Sequence, residues 1–116
     1  MTLEGLSEVL SNIQKLQSKA ETQMEKAAEA GALVGERYTK EGAPVKTGKL
    51  RRSYATRLES KSSDEVVMRT GTDVEYAPDQ EFGTSRQSGT PHLRPGFNNH
   101  KSEILSTVKK TFESSL

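Results

Sequence analysis

The stretch LEGLSEVLSNIQKLQSKAETQMEKAAEAGALVGERYT, residues 3–39, decides the fold. In it Leu3, Leu6, Leu10, Ile13, Ala20, Met24, Ala27, Gly31, Val34 and Tyr38 recur at steps of three and four, with Gln17 the one polar interruption. That spacing places them on one side of an α-helix, in a stripe of near-heptad period, while Glu, Lys, Gln and Ser take the other faces. Thr2 is suited to cap the start, since its hydroxyl oxygen can accept from a free first-turn N–H. A continuous helix of this length runs roughly 55 Å at about 1.5 Å per residue. That is longer than so small a domain needs, so part of it is expected to project or to pack on another copy. The stripe is rich in Leu and Ile before residue 17 and in Ala and Gly after it. The small residues permit close approach of another element, and Gly31 marks a place where the helix is weakened and free to bend.

Outward from the helix, Glu41-Gly42-Ala43-Pro44 ends it, because Gly suits a C-cap and Pro cannot continue a helix. Thr47 then opens one short turn showing Leu50 inward and its basic neighbours outward. Residues 54–59 and 65–70 read as two strands, joined by the polar turn Lys61-Ser62-Ser63-Asp64. Thr72 to Tyr76 extends or restarts a strand. Residues 77–84 form a turn or short helix closed by Gly83, and Pro91 to Arg94 is a short strand. Ser85 to Thr90, polar and without an apolar anchor, is an exposed mobile loop expected to order on a partner. From Pro95 a second amphipathic helix follows, carried by Phe97, Lys101, Leu105, Val108, Phe112 and Leu116. The expected class is α+β: a long N-terminal helix and a C-terminal helix packed on a small, mostly antiparallel sheet of three or four strands.

The 116 residues fit one domain, 1–116. With 31% hydrophobic residues, no Trp, three Phe and three Tyr, the chain either has a lean core or draws stability from partners. Net charge is +1 but unevenly spread. Lys40, Lys46, Lys49, Arg51, Arg52 and Arg57 face one acid, Glu41, in the first block. Residues 58–84 then carry seven acids against Lys61 and Arg69. Such segregation either attracts a neighbouring copy or DNA, or is neutralised within one sheet. The absence of cysteine excludes disulfides and thiol chemistry. The start MTLEGLSEVL lacks the basic head and apolar run of a secretory leader, and no segment has the length and apolarity of a membrane span.

Chemistry is sparse. There is no phosphate loop, dinucleotide fingerprint or nucleophile elbow. His92 and His100 lack metal-ligand spacing and are expected at the surface or in turns. Glu75 and Glu81 either form a carboxylate pair or are solvated and paired with Arg. No catalytic residue, metal or cofactor is assigned. The basic segment at Lys49, Arg51 and Arg52 suits phosphates, but without interleaved aromatics any nucleic-acid contact is nonspecific.

Two segments together resemble a known family. One is Ala43-Pro44-Val45-Lys46-Thr47-Gly48-Lys49-Leu50-Arg51-Arg52-Ser53. The other is Tyr76-Ala77-Pro78-Asp79-Gln80-Glu81-Phe82-Gly83-Thr84, followed after a variable loop by Pro91-His92-Leu93-Arg94-Pro95. Their order and spacing resemble the tail-completion (minor tail, neck) proteins of long-tailed phages and prophages, the family of the lambda-type minor tail protein Z. Lys46, Asp79 and Gly96 depart from that family's usual acid, aromatic and alanine. The resemblance implies a non-enzymatic virion component, made in the host cytoplasm, that completes the tail or joins head to tail. It implies partners among the head connector, tail terminator and tail tube, and a homo-oligomeric ring. A nonspecific nucleic-acid-binding accessory protein, touching DNA in the channel, is the alternative. Lys49, Arg51, Arg52, Asp73, Glu75, Glu81, Arg86 and Arg94 are the candidate interface residues. Leu50, Tyr76, Phe82 and Gly83 are the expected motif core, with Arg94 suited to pair with Glu81.

Overall fold

The computed structural model of the protein describes residues 3–44, 48–62 and 64–114. The caps expected from Thr2 and Thr47, the charge of Lys46, Ser63 of the turn and Leu116 of the last stripe lie outside the described residues. Helix α1 (Leu3–Gly42) is the axis of the molecule. It is followed by α2 (Lys49–Ser53), strands β1 (Ala55–Lys61) and β2 (Val66–Gly71), and helices α3 (Ala77–Phe82), α4 (Leu93–Asn98) and α5 (Lys101–Ser114). The class is α+β, as the periodicities require.

Two elements differ from expectation. The sheet among the described residues is a single antiparallel hairpin, β1 with β2, and not three or four strands. Thr72 to Val74 lies outside the sheet, and Pro91 to Arg94 leads into α4 instead of forming a strand. Pro95 allows this, since the third position of α4 has no intrahelical partner for the N–H that proline lacks. The C-terminal helical stretch is also broken at Asn99 and His100, so it is two helices.

Between its middle and its C-terminal end, α1 buries every fourth residue: Gln23, Ala27, Gly31, Gly35 and Thr39. These are mostly small, and the packing uses that. A Cβ on Gly31 would stand 2.4 Å from Val108 Cγ2, and one on Gly35 2.3 Å from the Phe97 ring. Thr39, fully buried, receives the backbone of α4 at Gly96, where a Cβ would lie 2.8 Å from the Thr39 nitrogen. Glycine therefore sets the helix separation here. Because Ile104 and Val108 take the inward face of α5, Leu105 is turned outward and is 68% exposed.

The hairpin lies along the same helix. Its register runs from Ala55 opposite Gly71 to Lys61 opposite Val66, with an irregularity between Leu58 and Ser60. Lys61 Nζ reaches Glu25 at 3.0 Å and ties the turn end to α1. Beneath the other end, Leu50, Tyr54 and Ala77 make a small core joined by Val74 and Leu93. The body is thus assembled around the second half of α1. The first half projects from it, giving dimensions of 75 × 25 × 21 Å and a radius of gyration of 19.7 Å. A compact chain of this length has a radius of about 13 Å.

Candidate functional site

The two family-like segments meet at one buried node. α3 is only six residues long, and Ala77 and Glu81, four apart, share its inward face. Glu81 is 4% exposed. Its Oε1 accepts from the His92 and Leu93 backbone N–H groups at 2.9 and 2.8 Å, and its Oε2 accepts from Arg94 Nε at 3.2 Å. Burial alone would raise the carboxyl pKa. The N–H groups of His92 and Leu93 and the Arg94 side chain outweigh it and hold Glu81 below the usual carboxylate value.

His92, 1% exposed, completes the node. Its Nδ1 lies 2.8 Å from the Thr90 carbonyl, so Nδ1 carries the proton and donates. Nε2 then accepts from the Tyr54 hydroxyl at 2.5 Å. Burial, with the negative charge of Glu81 nearby, pushes the Tyr54 phenol up to about 12. Tyr, His and Glu in contact resemble an acid–base relay. All three are buried, however, and the carboxylate oxygens are taken by chain N–H groups and Arg94. What the geometry does is clamp α3, the segment entering α4 and the start of β1 together.

The candidate residues are placed as follows. Leu50 is buried, at 3% exposure, as expected. The expected burial of Tyr76 and Phe82 is corrected: they are 38% and 65% exposed. Phe82 follows Glu81 and is rotated about 100° from the inward face of α3, so it points outward under the Arg94 guanidinium, 4.6 Å from its ring centre. Gly83 is at φ 84, with Gly89 against it, a conformation and a closeness that side chains resist. The pairing of Arg94 with Glu81 is present. Glu81 is thereby corrected as an interface candidate, because it is consumed inside the fold, and no pair with the exposed Glu75 is needed to explain it. His92 is likewise corrected from surface to core. His100 stacks on Tyr38 with ring centres 3.5 Å apart.

Members of the two charged blocks meet at one cleft. Lys49, Ser53, Asp73, Val74, Glu75 and Tyr76 line an open cleft of about 540 Å³. Arg57 reaches Asp73 at 3.7 Å, and Arg69 pairs with Glu59 across the hairpin. Basic and acidic blocks therefore neighbour each other within one chain. Arg51 is braced inward, its Nη2 donating to the Glu41 carbonyl at 3.3 Å, while Arg52 and Arg86 are exposed. The signal that could have found His92 lay in the sequence: one of only two histidines, between Pro91 and the Leu93-Arg94-Pro95 that carry the resemblance.

Among the described residues no group of three or more His, Asp and Glu side chains is arranged to hold a metal ion. No described helix is long and apolar enough to cross a membrane.

Neither the curated proteins nor the solved structures contain a match to this chain. A family model described as "Bacteriophage HK97-gp10, putative tail-component" matches residues 7–83. That span holds the projecting half of α1, the Leu50 turn, the hairpin and α3 with Glu81, which is most of the architecture just described. The chain therefore belongs to the HK97-gp10-like family of bacteriophage tail components.

Proposed function

We propose that this tail component acts at the head-proximal end of a long-tailed phage or prophage, completing the tail or joining it to the head, as a structural part and not an enzyme. The observation that carries the reading is the family match across residues 7–83, which takes in the projecting helix, the hairpin and the Tyr54 and Glu81 side of the clamp. The shape supports it: a small rigid body with an exposed apolar arm is suited to joining other subunits. On this reading the partners are neighbouring neck and tail proteins such as the head connector, tail terminator and tail tube. The exposed charges at Lys49, Arg52, Asp73, Glu75 and Arg86 lie at the rim of those contacts, and copies are arranged around the tail axis in a ring.

The experiment is deletion of the coding sequence from the phage or prophage, followed by electron microscopy of the lysate. Filled heads and finished tails that fail to join, rescued by supplying the full chain, are expected. Normal joined virions in the deletion would refute the proposal. Heads that never fill would move the protein to an earlier, DNA-handling step and favour nonspecific nucleic-acid binding.

A further inference from the structure

The projecting half of α1 has a face that no described residue covers. Leu6, Val9, Leu10, Ile13 and Leu16 are 43%, 43%, 53%, 46% and 67% exposed. With Leu10 at heptad position a and Ile13 at d, Leu6 is also d, and Val9 and Leu16 are g. The result is a seam of helix-pairing period, widened on one flank. Between Leu6 and Leu16 its remaining flank holds Ser7 and Gln14, which carry no charge to repel a partner helix.

The course of α5 indicates the occupant. At the body end the same face of α1 is covered by α5, which runs antiparallel to it: His100 and Glu103 lie beside Tyr38, and Ile104 and Val108 beside Gly31. Met24, Ala27, Val108 and Phe112 then line an apolar groove of about 340 Å³. Phe112, near the end of α5 as described, is beside Met24 and Ala27, and the exposed seam lies further toward the tip, from Leu16 outward. A second arm laid antiparallel continues the line of α5 along the seam, its N-terminal end meeting the C-terminal end of α5 with opposite ends of the two helix dipoles adjacent. A second arm laid parallel would bring its own body onto the face that α5 already occupies.

The exposed area is enough for such a pairing. The chain exposes 8262 Å², against about 6,300 Å² for a compact monomer of its mass. The excess, on the order of 2,000 Å², is more than the roughly 800 Å² that each partner gives to a standard interface.

We infer that the arm is the docking surface for a second copy of this chain. The two arms pair antiparallel about a two-fold axis near Ser11 and Asn12. Leu10 of each copy faces Ile13 of the other, and Leu6 of each lies near Leu16 of the other. Such a contact is self-complementary and closes at two copies. It does not depend on the role proposed in the virion.

The test uses the full chain, which lacks cysteine. Sedimentation equilibrium is expected to show a monomer–dimer equilibrium at micromolar concentration. Leu10→Asp with Ile13→Asp is expected to abolish the dimer without shifting the melting of the body, since both side chains lie outside it. Polarity is read by disulfide trapping. A mixture of Leu6→Cys and Leu16→Cys chains gives the mixed dimer under mild oxidation. Either chain alone does not, because antiparallel copies keep its own sulfurs about 15 Å apart at about 1.5 Å per residue. A wild-type chain that stays monomeric to near-millimolar concentration, a dimer that survives the double aspartate, or efficient trapping of Leu6→Cys with itself would each overturn the inference.

Discussion

Glu81→Gln isolates what the buried clamp contributes, because it keeps the shape and removes one charge. In the native protein Oε1 holds the His92 and Leu93 N–H groups, and Oε2 faces Arg94 Nε. Glutamine can keep its carbonyl oxygen toward the two backbone N–H groups. Its NH2 then meets the Arg94 N–H, donor against donor. Two charge-assisted bonds are weakened and a third is lost, with a desolvated donor left over, at roughly 1–3 kcal/mol for the unsatisfied group. Arg94 has 56% of its side chain in water, which refills part of that loss, so the total is expected near 2–3 kcal/mol. For a chain of this size that is a fall in Tm of roughly 8–15 °C. The assay is thermal and urea unfolding followed by circular dichroism, with the urea slope checked for constancy. pH supplies the second arm. The carboxyl is held below its ordinary value of 4.5, so its contribution is fully present above that pH and is lost as pH falls through the folded value. Glutamine does not titrate there, so the gap between wild type and variant should narrow as the solution is acidified from 4.5 through the folded value. A variant melting within about 2 °C of wild type at pH 7, or a gap that widens on acidification, would refute the clamp.

Other outcomes follow from the same packing. Phe82→Ala should cost no more than about 1 kcal/mol in urea unfolding, since the ring is mostly in water and loses chiefly its contact with Arg94. Gly96→Ala should destabilise by about 1–3 kcal/mol or more, because the added methyl meets the Thr39 backbone. Gly71→Ala, with nothing within 4 Å of the new methyl, should leave the melt unchanged. At high pH the unfolded chain ionises Tyr54 near 10 while the folded chain holds it to about 12, so stability from this group is present below pH 10 and declines between those values. Tyr54→Phe should remove that decline, as seen in alkaline urea melts.

The helices and the hairpin were readable because each is a local pattern. A three- and four-step stripe specifies α1, and two short strand-like runs on either side of a polar turn specify β1 and β2. The pairing of Arg94 with Glu81 was readable from chemistry, as a guanidinium held beside proline near a carboxylate. What failed was direction within short elements. Phe82 was expected inside because large aromatics usually are. In a helix of six residues, one position of rotation separates inside from outside, and α3 spent its inward face on Ala77 and Glu81. His92 is the converse case. Its burial depends on Tyr54, 38 residues away in sequence, and no local spacing announces such a contact. One continuous helix from Pro95 would put Leu105 on the inward stripe. The interruption at Asn99 and His100 is a tertiary event, fixed by the Tyr38 stack and by Gly31 admitting Ile104 and Val108.

The neck of the loop beyond α3 has a consequence of its own. Gly83 pairs with Ser88, Thr84 N–H donates to the Gln87 carbonyl at 2.8 Å, and Thr90 N–H donates to the Gln80 carbonyl at 2.6 Å. The two strands of chain leaving the clamp are therefore fastened at the base, and the residues between them, 84–88, are all exposed. Length added at the tip changes only the entropy of a closed loop, about 0.6 kcal/mol for each doubling. The fold thus offers a permissive position at which an epitope, a fluorophore acceptor or a foreign peptide can be grafted while Glu81 and His92 keep their places.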